Sequence, residues 1–440
     1  MMRRPFVALG LVAALLGITH RAAAQQPDAA ADTLRLGDLQ DAAVARDPRG
    51  RQLDLLASQS AMRLKAIRSE WLPRFDATSH AQYQSEVVSI PFDLPGDVEP
   101  FTPHKDTYDA HLGVRQPLYD PTLGARRTVE SAGLAESQAR VRTTLFSLRE
   151  SVAESYFMAL LLQAQGAELE AGLTDLEAQL RVARGRVEAG DALPSETATL
   201  EAELLRRRQS LAEVAADRGA ALAVLGDLTG RPVAERDALG LPELEREVAS
   251  ARAGLASARE RPEYAQFART QETLDQRAAE IGRRNWPRLS AVGRAGVGRP
   301  GLNPLGDEFA SYWLAGVQLE WSPWDWGRSG LERQALDIER QIVATEQAAF
   351  TERVRRGAVR DLAAIDRLAE TLDADSAIIA LRQRVLDEAR LRFSEGVITS
   401  DDFVDRETDL LAARLARATH RVELAQARAR FLTLVGIEVP

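Results

Sequence analysis

The chain has 440 residues, five histidines, no cysteine, and 65 Asp and Glu against 56 Lys and Arg, a net charge of −9. Such an acidic balance argues against nucleic acid as a partner. Without cysteine there is no disulfide, and no thiol to carry a lipid anchor.

The first residues read as a secretory signal peptide over 1–24. Arg3 and Arg4 supply a basic start, Phe6 to Ile18 an apolar run, and Ala22-Ala23-Ala24 a small-residue cleavage site before Gln25. Cleavage leaves about 416 residues, none of them in an apolar run long enough for a membrane-spanning helix.

A helix is expected from about Leu36 to Glu70, followed by two segments that alternate with period two. Phe75, Ala77, Ala81, Tyr83 and Val87 fall on one face, with Arg74, Asp76, Thr78, His80, Gln82, Gln84 and Glu86 on the other. Tyr108, Ala110, Leu112 and Val114 alternate with Asp109, His111 and Arg115 in the same way. These read as a strand pair over 73–118. No proline occurs between Pro121 and Pro194, so one helix can run through the gap for roughly 100 Å at 1.5 Å per residue. Val141, Leu145, Leu148, Val152, Ser155, Ala159, Leu162, Gly166, Leu169, Leu173, Leu176, Leu180, Ala183 and Val187 step by four and three along it, a coiled-coil seam. A glycine turn near Gly190 leads into a helix from Ser195 to Leu228. Residues 229–244, with Pro232, Gly240 and Pro242, read as a linker or equatorial segment.

The remainder repeats this plan. Trp286-Pro-Arg-Leu matches Trp71-Leu-Pro-Arg-Phe before the strands, and Ser322-Pro-Trp-Asp325 matches Gln116-Pro-Leu-Tyr-Asp120 after them. Arg392-Phe-Ser-Glu-Gly396 then lies 206 residues beyond Arg186-Val-Glu-Ala-Gly190. The chain therefore divides into a first structural repeat, 25–228, and a second, 245–440, with a strand pair at 287–322, a proline-free long helix, and a turn near Gly396. All six tryptophans, Trp71, Trp286, Trp313, Trp321, Trp324 and Trp326, lie in or beside the strands, as membrane-interface aromatics do. Four strands cannot close a membrane barrel, so several chains must share one.

Order of elements, duplication, the Gln-Pro-Leu-Tyr-Asp exit and the Arg-Phe-Ser-Glu-Gly turn together resemble the TolC-like outer-membrane factors of Gram-negative envelopes. The resemblance implies a mainly α chain with a membrane β-barrel portion. A homotrimer would share a twelve-stranded barrel in the outer membrane, continued by a coiled-coil α-helical barrel through the periplasm. It further implies a passive exit duct for efflux or type I secretion, docked to a periplasmic adaptor and an inner-membrane transporter, with no cofactor, no metal and no catalytic residues. Asp402 and Asp405 fall on the family's paired-carboxylate offsets after Gly396, at the periplasmic entrance. On the residues alone, acids in a first helical turn equally serve the helix dipole. The family's gate arginine position holds Ile398, so closure is expected from apolar packing of Val397, Ile398 and Phe403. The hairpin tips, with Gly190, Ser195, Glu196, Gly396 and Thr399, are the expected adaptor-docking surface. A soluble periplasmic coiled-coil adaptor or scaffold is the alternative reading.

Overall fold

The computed structural model describes residues 33–88, 102–254, 261–304, 306 and 308–440; the expected signal peptide lies outside them. The element order is α1 (Leu36–Arg46), a 3-10 turn (Pro48–Arg51), α2 (Gln52–Ser69), β1 (Arg74–Tyr83), β2 (Asp106–Tyr119), α3 (Pro121–Ala189) and α4 (Pro194–Thr229). It then runs through α5 (Glu245–Gly254), α6 (Pro262–Arg284), β3 (Arg288–Arg299), β4 (Ala310–Glu320), α7 (Arg328–Ser394) and α8 (Ser400–Val435).

The two longest helices begin and end where local chemistry dictates. Asp120 caps α3 by accepting from the Thr122 amide at 2.9 Å, and Pro121 fills the first helical position, where its missing N–H costs nothing. The 69 residues of α3 run to Gly190, whose φ of +83° forms a left-handed C-cap. The 67 residues of α7 start after Gly327 and stop just before Gly396, at φ +76° and +75°.

The expected helix over Leu36 to Glu70 is broken. Pro48 has no N–H to continue α1, and Asp47 turns extended and accepts from the Arg49 amide at 2.8 Å, so the chain passes through a 3-10 turn before α2. Proline likewise opens α6 at Pro262.

β1 to β4 form one antiparallel sheet in chain order, leaving β1 and β4 as free edges. The register sets two faces. Phe75, Leu112, Val297, Trp313, Val317 and Leu319 lie on one, and Asp76, His80, Asp109, His111, Arg294 and Glu320 on the other. Both are uncovered: every β1 residue is exposed, and so are the apolar side chains Phe75, Leu112, Trp313 and Val317.

Burial instead concentrates among the helices, in two clusters. One lies midway along α3, where α1, α4, α5 and α8 converge around Leu36, Tyr156, Phe157, Leu225 and Phe431. There the Tyr156 hydroxyl reaches the carbonyls of Leu34 (3.0 Å) and Gly240, and burial raises its phenol pKa. Gln163 exchanges hydrogen bonds with the Leu239 backbone at 3.0 and 3.1 Å, and Arg218 donates to the Asp237 carbonyl at 3.0 Å. Linker and N-terminal segment are thus strapped together across the helices, through a parallel bridge between Leu34 and Leu239. The second cluster lies at the far end of the hairpins, among Leu176, Leu180, Leu200, Leu386, Phe393, Phe403 and Leu410. Most of the seam through α3 is buried, including Val141, Leu145, Val152, Ala159, Leu169, Leu173, Leu176, Leu180 and Ala183.

Candidate functional site

Two helical hairpins, α3–α4 and α7–α8, end side by side. In the second, Thr399 caps α8: its hydroxyl accepts from the Asp402 amide at 3.2 Å. The Asp402 carboxylate returns the contact, accepting from the Thr399 hydroxyl at 2.8 Å and the Thr399 amide at 3.3 Å. This reciprocal capping box satisfies donors that a helix start otherwise leaves unpaired. Hydrogen bonds from the Thr399 side chain and backbone hold the Asp402 carboxyl below its ordinary range. Asp402 thus stays ionised at neutral pH while also serving the helix. Asp405, one turn further, is exposed. The signature was present in the sequence as Thr399-x-x-Asp402.

The three apolar residues expected at the entrance separate. Val397 is exposed, Ile398 is half-buried against the tip cluster, and Phe403 is buried, stacked on Phe393 with ring centroids 5.2 Å apart. The helical period turns Phe403 inward, where it packs between α7 and α8 and holds the hairpin closed on itself. Gly190, Ser195, Gly396 and Thr399 are exposed on the tips, and Glu196 is partly buried.

What sequence reasoning missed is the tie between the hairpins. Arg186, on α3, donates to the Phe393 carbonyl at 2.7 Å, stands over the Phe393 ring, and comes within 3.7 Å of Glu196. Gly396 makes room for it: a Cβ there would meet the guanidinium at 2.8 Å. Further along, Arg207 on α4 is buried between Glu203 of its own helix (2.7 Å) and Glu407 of α8, and also donates to Thr408 at 3.3 Å. Burial opposes charge on Arg207, but the contacts with Glu407 and Glu203 outweigh it and raise its pKa. Burial likewise raises the Glu203 carboxyl, and Arg206 and Arg207 overcome this to leave it lowered. No spacing rule announces a contact between residues 200 positions apart.

At the opposite end, five of the six tryptophans mark the junction of sheet and helices. Trp71 and Trp286 precede β1 and β3, while Trp321, Trp324 and Trp326 follow β4. Trp313 stands on the apolar face of β4 opposite Ala295, nearer the far end, where Tyr108 and Phe309 pack 6.0 Å apart.

Comparison with known proteins agrees with this geometry. The family model for outer membrane efflux proteins matches residues 21–231. The pyoverdine export outer membrane protein OpmQ of Pseudomonas aeruginosa is 28% identical over 338 residues, covering 74% of this chain and 67% of the relative. Among solved structures, the channel-forming protein CusC superposes with a TM-score of 0.66 at 15% identity, over 91% of this chain and 92% of that one. The open MtrE channel of Neisseria gonorrhoeae gives 0.64 at 18% identity, over 92% and 89%. VceC of Vibrio cholerae gives 0.63 at 13% identity, over 92% and 97%. These structures share the fold of TolC-like channels: paired long helices carrying a four-stranded sheet at one end. The chain thus carries the sequence pattern of outer membrane efflux proteins over residues 21–231 and is similar in fold, over nine-tenths of its length, to outer-membrane channels.

Proposed function

We propose that this protein is the exit duct of a tripartite efflux pump or a type I secretion system, a passive conduit docked to a periplasmic adaptor and an inner-membrane transporter. One observation carries the reading: among the described residues the sheet has two free edges and no helix packs on either face. An open sheet edge cannot lie in lipid, because its N–H and C=O groups would go unpaired. Pairing β4 of one copy with β1 of the next removes both edges, and three copies give a barrel of twelve strands. The polar face then lines a wet lumen and the apolar face meets lipid, with the tryptophans at its margin. The two halves are read as structural repeats meeting at 229–244, and residues 1–24 as an export signal removed from the mature chain.

In a trimer the α7–α8 tips converge, bringing six carboxylates from Asp402 and Asp405 around one axis. Like charges so placed attract cations. Val397 and Ile398 narrow the same opening, with Phe403 supporting them from inside. The tips at Gly190, Ser195, Glu196, Gly396 and Thr399 offer the docking surface for the adaptor.

The test is planar-bilayer conductance of the detergent-purified mature protein, after its mass has been checked for a trimer. Long-lived, cation-preferring channels are expected, and Asp405→Asn should weaken their block by multivalent cations. Asp402→Asn should act likewise, though Asp405 is the cleaner probe because it takes no part in the cap. A water-soluble monomer without channel activity would overturn the duct, and unchanged block would remove the carboxylate entrance alone.

A further inference from the structure

We propose that α7 of each copy packs along α4 of the next, seating Ile378 against Leu205 and Val359 against Val224, and pairing Arg356 with Asp227. This contact rests on the trimer reading above and extends it from the β4–β1 pairing to the helices, with a defined register.

The internal repeat carries the inference. α3 packs along α2 and α4 of its own half and along α6 and α8 of the other. α7, its counterpart, packs along α6 and α8, and among the described residues no helix of the first half lies along it. The α3–α8 contact shows what such a partner looks like. Gly172 leaves a gap for Leu411, whose Cδ1 stands 3.6 Å from where a Cβ would be. Glu150 and Ala153 of α3 line one cavity with Arg430 and Thr433 of α8. The offset of 206 residues between the halves, forward from α3 and back from α8, turns these positions into Ile378 and Leu205, Val359 and Val224, and Arg356 and Asp227.

All four apolar members are exposed, Leu205 the most at 65%. Single exposed apolar residues are ordinary on any surface, so their spacing decides. Val359 and Ile378 stand 19 residues apart on α7, and Leu205 and Val224 stand 19 apart on α4. Two helices running in opposite directions therefore bring both pairs together in one register. Arg356 and Asp227 are exposed and of opposite charge, and neither makes an ion pair among the described residues. The occupant of this face of α7 is a second copy, because α4 of the same chain is already held against α3. A contact between two different patches of one sequence repeats from copy to copy and can close into a ring, as a shared barrel requires.

The chain has no cysteine, so defined thiol pairs can be placed in the full-length protein. Two matched variants carry Ile378→Cys with Leu205→Cys, and Val359→Cys with Val224→Cys. Two mismatched variants exchange the partners, Ile378→Cys with Val224→Cys and Val359→Cys with Leu205→Cys. Each is purified in detergent, checked for mass, treated with a short bifunctional thiol reagent and run on a denaturing gel. The matched pairs are expected to yield covalent dimers and trimers. The mismatched pairs are displaced by 19 residues, roughly 28 Å at 1.5 Å per residue, and are expected to yield neither. Each substitution occurs once in a matched and once in a mismatched pair, so the difference between them reports the register and not the fold. Arg356→Glu should lower the yield of the matched pairs, and adding Asp227→Arg should restore it. A trimer by mass whose matched pairs stay unlinked, or whose mismatched pairs link equally, would overturn the contact and leave the duct standing. Links confined to single copies would overturn it as well. A protein monomeric by mass would remove the duct reading, and this contact with it.

Discussion

Arg207→Ala tests whether the buried ion cluster holds the two hairpins together. The guanidinium is 3% exposed and is shared between Glu203 and Glu407. Gly172 of α3 closes over it, where a Cβ would stand 3.1 Å from the guanidinium. Its removal leaves Glu203 still paired with Arg206, but strands Glu407 as a buried carboxylate. Breaking a buried pair costs about 3–5 kcal/mol, and the surviving Arg206 contact argues for the lower end. A loss of about 3 kcal/mol corresponds to roughly a hundredfold more frequent local opening, at 1.4 kcal/mol per tenfold. Amide hydrogen exchange across α4 and α8 around these residues is the assay, because global melting of an assembly is not two-state. Replacing both Arg207 and Glu407 by Met should restore much of the protection, since an apolar substitute leaves no charge stranded. Exchange within threefold of wild type in Arg207→Ala would refute the reasoning.

Two further outcomes follow from the same contacts. Thr399→Ala removes the capping box and should destabilise the start of α8 by about 1 kcal/mol, read as faster exchange or proteolysis of that turn. Because Thr399 lowers the Asp402 pKa from its ordinary 3.8, the carboxylate's contribution is complete above that value and fades as pH falls below it. Thr399→Ala should weaken that acid sensitivity, leaving only what the Thr399 amide supports, and a variant in which it is undiminished would show that the hydroxyl is not its main source. In the sheet, a Cβ at Gly296 would lie 2.3 Å from the Ala110 carbonyl oxygen and 2.5 Å from the His111 Cβ, neither of which can swing aside. Gly296→Ala should therefore disrupt the sheet and block the proposed trimer, seen as loss of the trimer mass in detergent. Gly316→Ala, with nothing within 4 Å, should assemble normally.

Local chemistry is legible in one dimension, and it fixed much of this molecule. The proline-free gaps, Asp120 with Pro121, and Gly190 bound α3 at the residues where the structure bounds it. Period-two alternation found all four strands, because a pleated strand sends successive side chains to opposite faces. The helix expected over Leu36 to Glu70 overran Pro48, a residue that breaks a helix interior. Only the tertiary structure showed that Arg186 bridges the hairpins, that Arg207 is buried with Glu407, that Phe403 turns inward, and that Trp326 occupies a left-handed turn. The reason is physical. Helix periods, caps and strand alternation depend on neighbours within a few residues. A contact across 200 positions depends on how α4 and α8 are rotated against each other, and packing of the whole bundle sets that rotation.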